Sequence, residues 1–192
     1  MELIGIILLL LLPHLSTCGS LTARSGSCSP SSKSLTASVI QCWKTNNLIQ
    51  KNLLRKMDTL DCPATCTKIN PSTTVGEYGF RMGDLLNRFR CLFFLQSTTL
   101  AAQGKDPSML FVNPSLLSDV SLKVDEIINR PEVCQQAAPV PLHNCESYLG
   151  ASANKLDDRE WAYKMGYAIS TELQSYLEKL YLSSTAVEFG KF

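Results

Sequence analysis

The chain of 192 residues has little of what several functional classes require. Basic and acidic residues nearly balance, at 18 and 17, and no tight basic cluster provides a footprint for nucleic acid. There are two histidines, and no nucleophile motif accompanies His143, so neither a histidine-based zinc site nor a Ser-His-Asp relay is indicated. A glycine-rich phosphate loop and a paired-carboxylate cleft are also missing. We expect neither an enzyme nor a cofactor-binding protein.

Long apolar runs occur only at the N-terminus. The run that follows Glu2 and ends at Pro13 is too short to span a membrane and precedes small residues, which is typical of a secretory signal peptide. Cleavage after Gly19 fits the small-residue rule, with cleavage after Ala23 as the alternative. We therefore expect a signal peptide at 1–19, no membrane insertion, and one secreted, extracellular domain at 20–192.

Cysteine is neither absent nor dense, at eight residues, and Cys18 would leave with the signal peptide. In an oxidising compartment most of the remaining seven should be paired, and the odd one is either a buried thiol or a link to another chain. Their wide spread excludes a knottin-like framework. Cys62 and Cys66 suit a local disulfide better than half of a metal site, because secreted thiols are oxidised rather than metallated.

Apolar residues recur at three- and four-residue intervals in four segments, and no segment shows sustained period-two alternation. We expect helices near 32–57, 76–102, 114–130 and 158–182, separated by connections rich in Pro, Ser, Thr and Gly. Two long connections and one short one favour an all-α, up-up-down-down four-helix bundle with disulfide staples. The predicted core positions are Leu35, Val39, Cys42, Ile49, Leu53, Met57, Leu85, Leu86, Phe89, Leu92, Phe93, Leu100, Leu117, Val120, Val124, Ile127, Ile128, Trp161, Met165, Ala168, Ile169, Leu173, Tyr176, Leu177 and Leu180.

The last helix begins with a capping-box pattern, Asp157 followed by Glu160. Trp161 and Lys164 are three residues apart and so lie side by side in its first turns. An indole beside an ammonium group on a rigid element suits a protein-binding hot spot. The alternative is that Trp161 is the top residue of the core and Lys164 is ordinary solvated charge, and spacing alone favours this alternative.

Three segments resemble one family. Trp161-Ala-Tyr-Lys164-Met, with Glu172-Leu-Gln-Ser-Tyr-Leu further along, is similar to the last helix of the interleukin-6-type cytokines in the leukaemia inhibitory factor, oncostatin M, ciliary neurotrophic factor and cardiotrophin-like branch. Trp161 stands in for the Phe of their Phe-x-x-Lys signature. Phe111-Val-Asn-Pro-Ser-Leu-Leu resembles the third-helix start of leukaemia inhibitory factor, and Gly26-Ser-Cys-Ser resembles the N-terminus of oncostatin M.

The resemblance implies a long-chain helical cytokine that is monomeric before it binds its receptor. A glycoprotein-130-type signal transducer would engage the first and third helices, and a leukaemia-inhibitory-factor-receptor-type chain would bind Trp161 and Lys164, with JAK–STAT signalling as the output. On the first helix Lys44, Lys51 and Arg55 are candidates by exposure only, and a solvated face is the simpler interpretation.

The departures from the family pattern suit a divergent member, such as a fish form. Ala168 stands where leukaemia inhibitory factor and oncostatin M carry a cysteine. Two other functions stay open. One is the helical subunit of an interleukin-12-type heterodimer, linked to its partner by the odd cysteine. The other is a secreted helical carrier of a lipid or small apolar ligand, which would need a cavity inside the bundle.

We predict a disulfide between Cys28 and Cys134. The resemblance supports the pair, and in an up-up-down-down bundle the start of the first helix and the end of the third lie at the same pole. The bridge would close a loop of over 100 residues and stabilise the fold by roughly 4–5 kcal/mol in the chain-entropy model. Non-reducing peptide mapping should recover the linked peptides, and Cys28 linked elsewhere would contradict the prediction.

Overall fold

A computed structural model describes residues 33–57, 75–130, 138–150, 153 and 159–189, and within these ranges every regular element is a helix. Five α-helices occur there, and short 3₁₀ turns at Pro107–Met109 and Leu142–Asn144 precede the third and the fourth of them. None of these helices is both long and apolar enough to cross a membrane. The helices are α1 (Lys33–Met57), α2 (Val75–Ala102), α3 (Pro114–Ile128), α4 (Cys145–Leu149) and α5 (Arg159–Phe189).

The four predicted long helices are confirmed, with small differences at their ends. α3 begins at Pro114, as expected, because Asn113 caps it by accepting a hydrogen bond from the Ser115 amide at 2.9 Å. It ends at Ile128, two residues earlier than predicted, and α5 continues to Phe189. The one-turn α4 lies in a segment predicted as loop. Several predictions fall outside the described residues: the signal peptide at 1–19, the disulfides of Cys28, Cys62, Cys66 and Cys134, and the capping role of Asp157.

The predicted apolar faces form one core, with three exceptions on α5. Every predicted core position on α1, α2 and α3 is buried, as are Ile169, Leu173, Tyr176, Leu177 and Leu180 on α5. Ala168 is exposed, so its prediction as a core residue is wrong, and Trp161 and Met165 are only half-buried. These three positions lie along one edge of the buried face of α5, where the helix turns from its neighbours to solvent.

Polar contacts fix how the long helices pair. α1 packs against α5 and α3, and α2 also packs against both. Along α1 and α3, Ser38 donates to Glu126 and Thr45 donates to Asp119, both at 2.7 Å, so the two helices run antiparallel. Between α2 and α3, the guanidinium of Arg90 contacts Asp125 at 2.6 Å.

A buried polar cluster joins α1 to α5. Asn46 and Ser170 are both 0% exposed. The Asn46 amide donates to the Ser170 carbonyl at 2.9 Å and to Gln174 at 3.0 Å, while the Ser170 hydroxyl donates to Asn46 at 2.8 Å. Gln50 donates to the Ser170 carbonyl as well, at 3.1 Å. Because buried polar groups must find partners, this cluster favours one alignment of the two helices.

The segment 138–150 is bound to α2 by contacts that no local sequence pattern indicates. A disulfide joins Cys91 to Cys145 with a Cα–Cα distance of 5.0 Å. Asn87 donates to the Ala138 carbonyl and accepts from the Val140 amide, and the Tyr148 hydroxyl donates to Asp84.

Cys42 is a free thiol buried in the core. Burial raises the pKa of its thiol to about 12. Five cysteines lie outside the described residues. If Cys18 leaves with the predicted signal peptide, pairing among the other four would leave Cys42 as the odd one.

The connection between α2 and α3 enters the core through Phe111. Its ring is fully buried, stacked 5.7 Å from the ring of Phe89 and edge-on to Phe93 at 6.4 Å. Its amide donates to the buried side chain of Gln96 at 2.8 Å. On α5, a Cβ added to Gly166 would stand only 2.5 Å from Cδ2 of the Phe111 ring. Glycine at this position therefore makes room for the ring.

Gly166→Ala should destabilise the protein. Overpacking costs roughly 1–3 kcal/mol, which offsets the roughly 0.8–1 kcal/mol that alanine gains over glycine in a helix. In a Phe111→Val background, where the two closest ring atoms are gone, the same change should instead raise stability relative to Phe111→Val alone. Urea unfolding of the four proteins measures both signs. A stabilising Gly166→Ala in the wild-type background would contradict the steric account.

Candidate receptor-binding site

Trp161 and Lys164 lie in the first turns of α5. The indole is half-buried and packs against the core. The Lys164 ammonium forms an ion pair with Glu160, one turn earlier, and the Lys164 side chain is 33% exposed. Both the hot-spot hypothesis and the simpler interpretation, a Trp161 at the top of the core beside a solvated Lys164, are compatible with this geometry.

The two residues belong to an accessible strip on α5. Trp161, Lys164, Met165 and Ala168 follow the i, i+3, i+4, i+7 spacing of one helix edge, and each is half-buried or exposed. We call these four residues the α5 strip. It joins an aromatic ring, a thioether and a cation on one rigid element, which is the chemistry of a protein-contact patch.

Tyr163, between the two predicted residues, faces inward and ties three segments together. Its hydroxyl donates to the Met109 carbonyl at 3.4 Å, and the Lys56 ammonium lies 5.2 Å from the centre of its ring. Lys56 also donates to the Leu110 carbonyl at 2.6 Å. The end of α1, the connection into α3 and the start of α5 therefore meet at one pole of the molecule. Sequence reasoning missed Lys56, because nothing in its spacing separates it from exposed Arg55.

Burial and nearby positive charge shape this pole. Burial lowers the pKa of Lys56, and the guanidinium of Arg159 lowers it further. Burial also raises the pKa of Tyr163, against an opposing effect of Arg159. Because the pKa of Lys56 is lower in the folded state than in the unfolded state, its charged form costs stability at neutral pH. That cost falls as the pH rises through the lowered pKa and is gone above the ordinary pKa of the unfolded state, where the lysine is neutral in both states.

A second candidate surface lies on α1. Lys44, Lys51 and Arg55 are all exposed, as their candidacy required, and Leu48 lies between them on the same helix face with 52% exposure. On α3, Leu122 is 46% exposed. The sequence prediction did not include Leu48. Its position off the buried face of α1, four residues after Lys44, could have indicated it. Single exposed leucines are common on protein surfaces, so Leu48 and Leu122 add to this candidate surface only by their positions.

No group of three or more His, Cys, Asp or Glu residues that suits a metal ion occurs in the described ranges. His143 is exposed in the 3₁₀ turn before α4. Protein-family models, curated proteins and solved structures give no match to this chain. The features that bear on function are therefore these surfaces and the resemblance at Trp161 and Lys164.

Arg159→Gln should raise the pKa of Lys56, because it removes the second of the two causes that lower it. The pKa should stay below its ordinary value, since burial is the larger cause and remains. A titration of the lysine Cε resonances by carbon-detected NMR measures the shift. Arg55→Gln is the matched control and should move the pKa less. An equal or larger effect of Arg55→Gln would contradict the assignment of Arg159.

Proposed function

We propose that this protein is a secreted cytokine that binds a glycoprotein-130-type signal transducer and a leukaemia-inhibitory-factor-receptor-type chain and thereby triggers JAK–STAT signalling. The observation that carries the proposal is the α5 strip. Trp161 and Lys164 lie together, accessible, at the start of a long helix, in the pattern that resembles the Phe-x-x-Lys signature. The ion pair with Glu160 orients Lys164 before a partner arrives.

We propose that the four long helices form the up-up-down-down bundle of long-chain cytokines. Contacts that pair Ser38 with Glu126 and Lys56 with Tyr163 support antiparallel packing of α1 against both α3 and α5. The short connection at 103–113 suits an antiparallel α2 and α3. The longer connections at 58–74 and 129–158 suit a parallel α1 and α2 and a parallel α3 and α5, which lie diagonally across the bundle. In this arrangement α1 and α3 share a face of the bundle.

That shared face is the proposed contact for the glycoprotein-130-type chain. Lys44, Leu48, Lys51 and Arg55 form a stripe at i, i+4, i+7 and i+11 on α1, with Leu122 exposed on α3. Apolar side chains surrounded by longer charged ones exclude water well when a partner covers them. The two receptor chains would then bind different regions, one on the α1–α3 face and the other at the start of α5.

The alternative functions have less support. If the odd cysteine is Cys42, it is buried and does not reach a partner chain, as an interleukin-12-type heterodimer would need. A carrier needs an internal cavity, whereas three buried phenylalanines, Phe89, Phe93 and Phe111, fill the region where α2 and α5 meet the α2–α3 connection. The buried Cys91–Cys145 disulfide is compatible with an extracellular location.

Trp161→Ala should weaken binding to the leukaemia-inhibitory-factor-receptor-type ectodomain by roughly 2–4 kcal/mol, as expected of a hot-spot aromatic. Its cost in stability should stay below the roughly 3–5 kcal/mol of a fully enclosed aromatic, because the ring is half-buried. Lys164→Ala should weaken binding while changing stability little, since an exposed i, i+4 ion pair contributes about 0.3–0.5 kcal/mol. Surface plasmon resonance and thermal unfolding on the same variants separate the two effects.

The matched control is Tyr181→Ala, which removes another exposed aromatic of α5 far from the strip. It should leave binding to that ectodomain unchanged. A reporter cell line that carries both receptor chains then links binding to signalling. A folded Trp161→Ala protein that activates these cells at wild-type doses would refute the proposed site. Wild-type protein that is inactive on them would refute the proposed receptor pair.

A further inference from the structure

A cavity of about 430 Å³, open to solvent, lies between the last turns of α1 and the segment that leads into α3. Its volume is within the range of small-molecule sites, roughly 300–1,000 Å³. Two of its lining residues are cations, Arg55 and Lys56, and none is an aspartate or glutamate. The other lining residues are neutral: among them Asn52, Ser108 and Asn113 supply polar groups, and Pro107, Pro114 and Leu116 supply accessible apolar surface.

The positive charge of the cavity is fixed in place. The Lys56 ammonium is anchored by the Leu110 carbonyl and lies against the ring of Tyr163, and it is half-buried, so water screens it less than it screens a surface lysine. Its lowered pKa has Arg159 as one cause, which indicates that a third cation contributes to the local potential. The start of α3 adds the positive end of a helix dipole, because Asn113 and Pro114 also line the cavity.

Two carboxylates in the neighbouring segments already have partners. Asp106 accepts a hydrogen bond from the Ser108 amide at 2.8 Å, and Glu160 forms the ion pair with Lys164. Neither carboxylate lines the cavity, which therefore combines apolar side chains with the two cations Arg55 and Lys56.

We propose that this cavity binds a small organic anion, a carboxylate carried on a short apolar body. The carboxylate would lie between Arg55 and Lys56, where a guanidinium and an ammonium offer charge-assisted hydrogen bonds. The apolar body would cover the surface of Leu116 and of the prolines Pro107 and Pro114. The site is distinct from the α5 strip. It shares Arg55 with the proposed contact surface on α1, but binding of a small anion to the isolated protein does not depend on the proposed receptor interaction. It also lies at the surface rather than inside the bundle, unlike the cavity of a lipid carrier.

Octanoate titrated into the full mature protein tests the proposal. Isothermal titration calorimetry should show saturable one-to-one binding with a dissociation constant of about 1 mM or below. Amide resonances of Asn52, Ser108 and Asn113 should shift in proton–nitrogen NMR spectra with the same saturation. Arg55→Gln should weaken binding about tenfold through loss of one charge-assisted contact. Arg55 is exposed, so this variant should fold normally even if Lys56→Gln does not.

The control variant is Lys51→Gln, which removes an exposed cation one turn earlier on α1 that does not line the cavity. It should change octanoate affinity by less than about twofold. Octanol, which lacks the charge, and inorganic sulfate, which lacks the apolar body, should each bind about tenfold more weakly or worse. The proposal is overturned if octanoate shows no saturation by about 10 mM, if octanol or sulfate binds equally well, or if Lys51→Gln weakens binding as much as Arg55→Gln.

Discussion

The contact between Phe111 and Gly166 is the constraint on which the rest of this pole depends. It brings a residue of the α2–α3 connection into the core, against α2 through Phe89 and Phe93 and against α5 through the missing Cβ. Once the ring is seated, the carbonyls of Met109 and Leu110 come within reach of Tyr163 and Lys56. The geometry of both candidate sites at this pole therefore follows from one packing contact rather than from the surface residues themselves.

A second constraint acts on the alignment of α1 and α5. Apolar faces alone would tolerate a shift of one helical turn, since leucines and isoleucines can exchange neighbours at moderate cost. Asn46 and Ser170 do not tolerate such a shift, because each is fully buried and satisfies the other. A one-turn displacement would leave buried donors and acceptors without partners, at about 1–3 kcal/mol for each group. The polar cluster thus contributes specificity where the hydrophobic faces contribute most of the stability.

The sequence predicts what depends on local periodicity and misses what depends on distant contacts. The buried faces of α1, α2 and α3 follow directly from the spacing of their apolar residues, because each helix buries one apolar stripe against its neighbours. The prediction of Ala168 as a core residue failed because spacing does not show where the buried stripe of a helix ends and its solvent-exposed edge begins. The adjacency of Trp161 and Lys164 was predictable from helical geometry.

The missed features of the fold and the site share a cause. The Cys91–Cys145 bond joins residues 54 apart in sequence, and the cavity at Arg55 and Lys56 forms only when α1 meets the α2–α3 connection. Gly166 reads in sequence as a helix-weakening residue, and only the ring opposite it explains the glycine. Each of these features requires knowing which segments become neighbours, and no local pattern carries that information.

The Cys91–Cys145 bond also changes what a break in the backbone would do. The covalent ring that it closes contains the whole of α3, together with the connections on either side of it. A single peptide-bond cleavage anywhere inside that ring leaves the two fragments joined through sulfur. The half that carries α1 and most of α2 and the half that carries α5 would still travel as one molecule. Proteolytic cleavage between Cys91 and Cys145 therefore opens the covalent ring but does not separate the two proposed receptor-binding regions, as long as the surroundings remain oxidising.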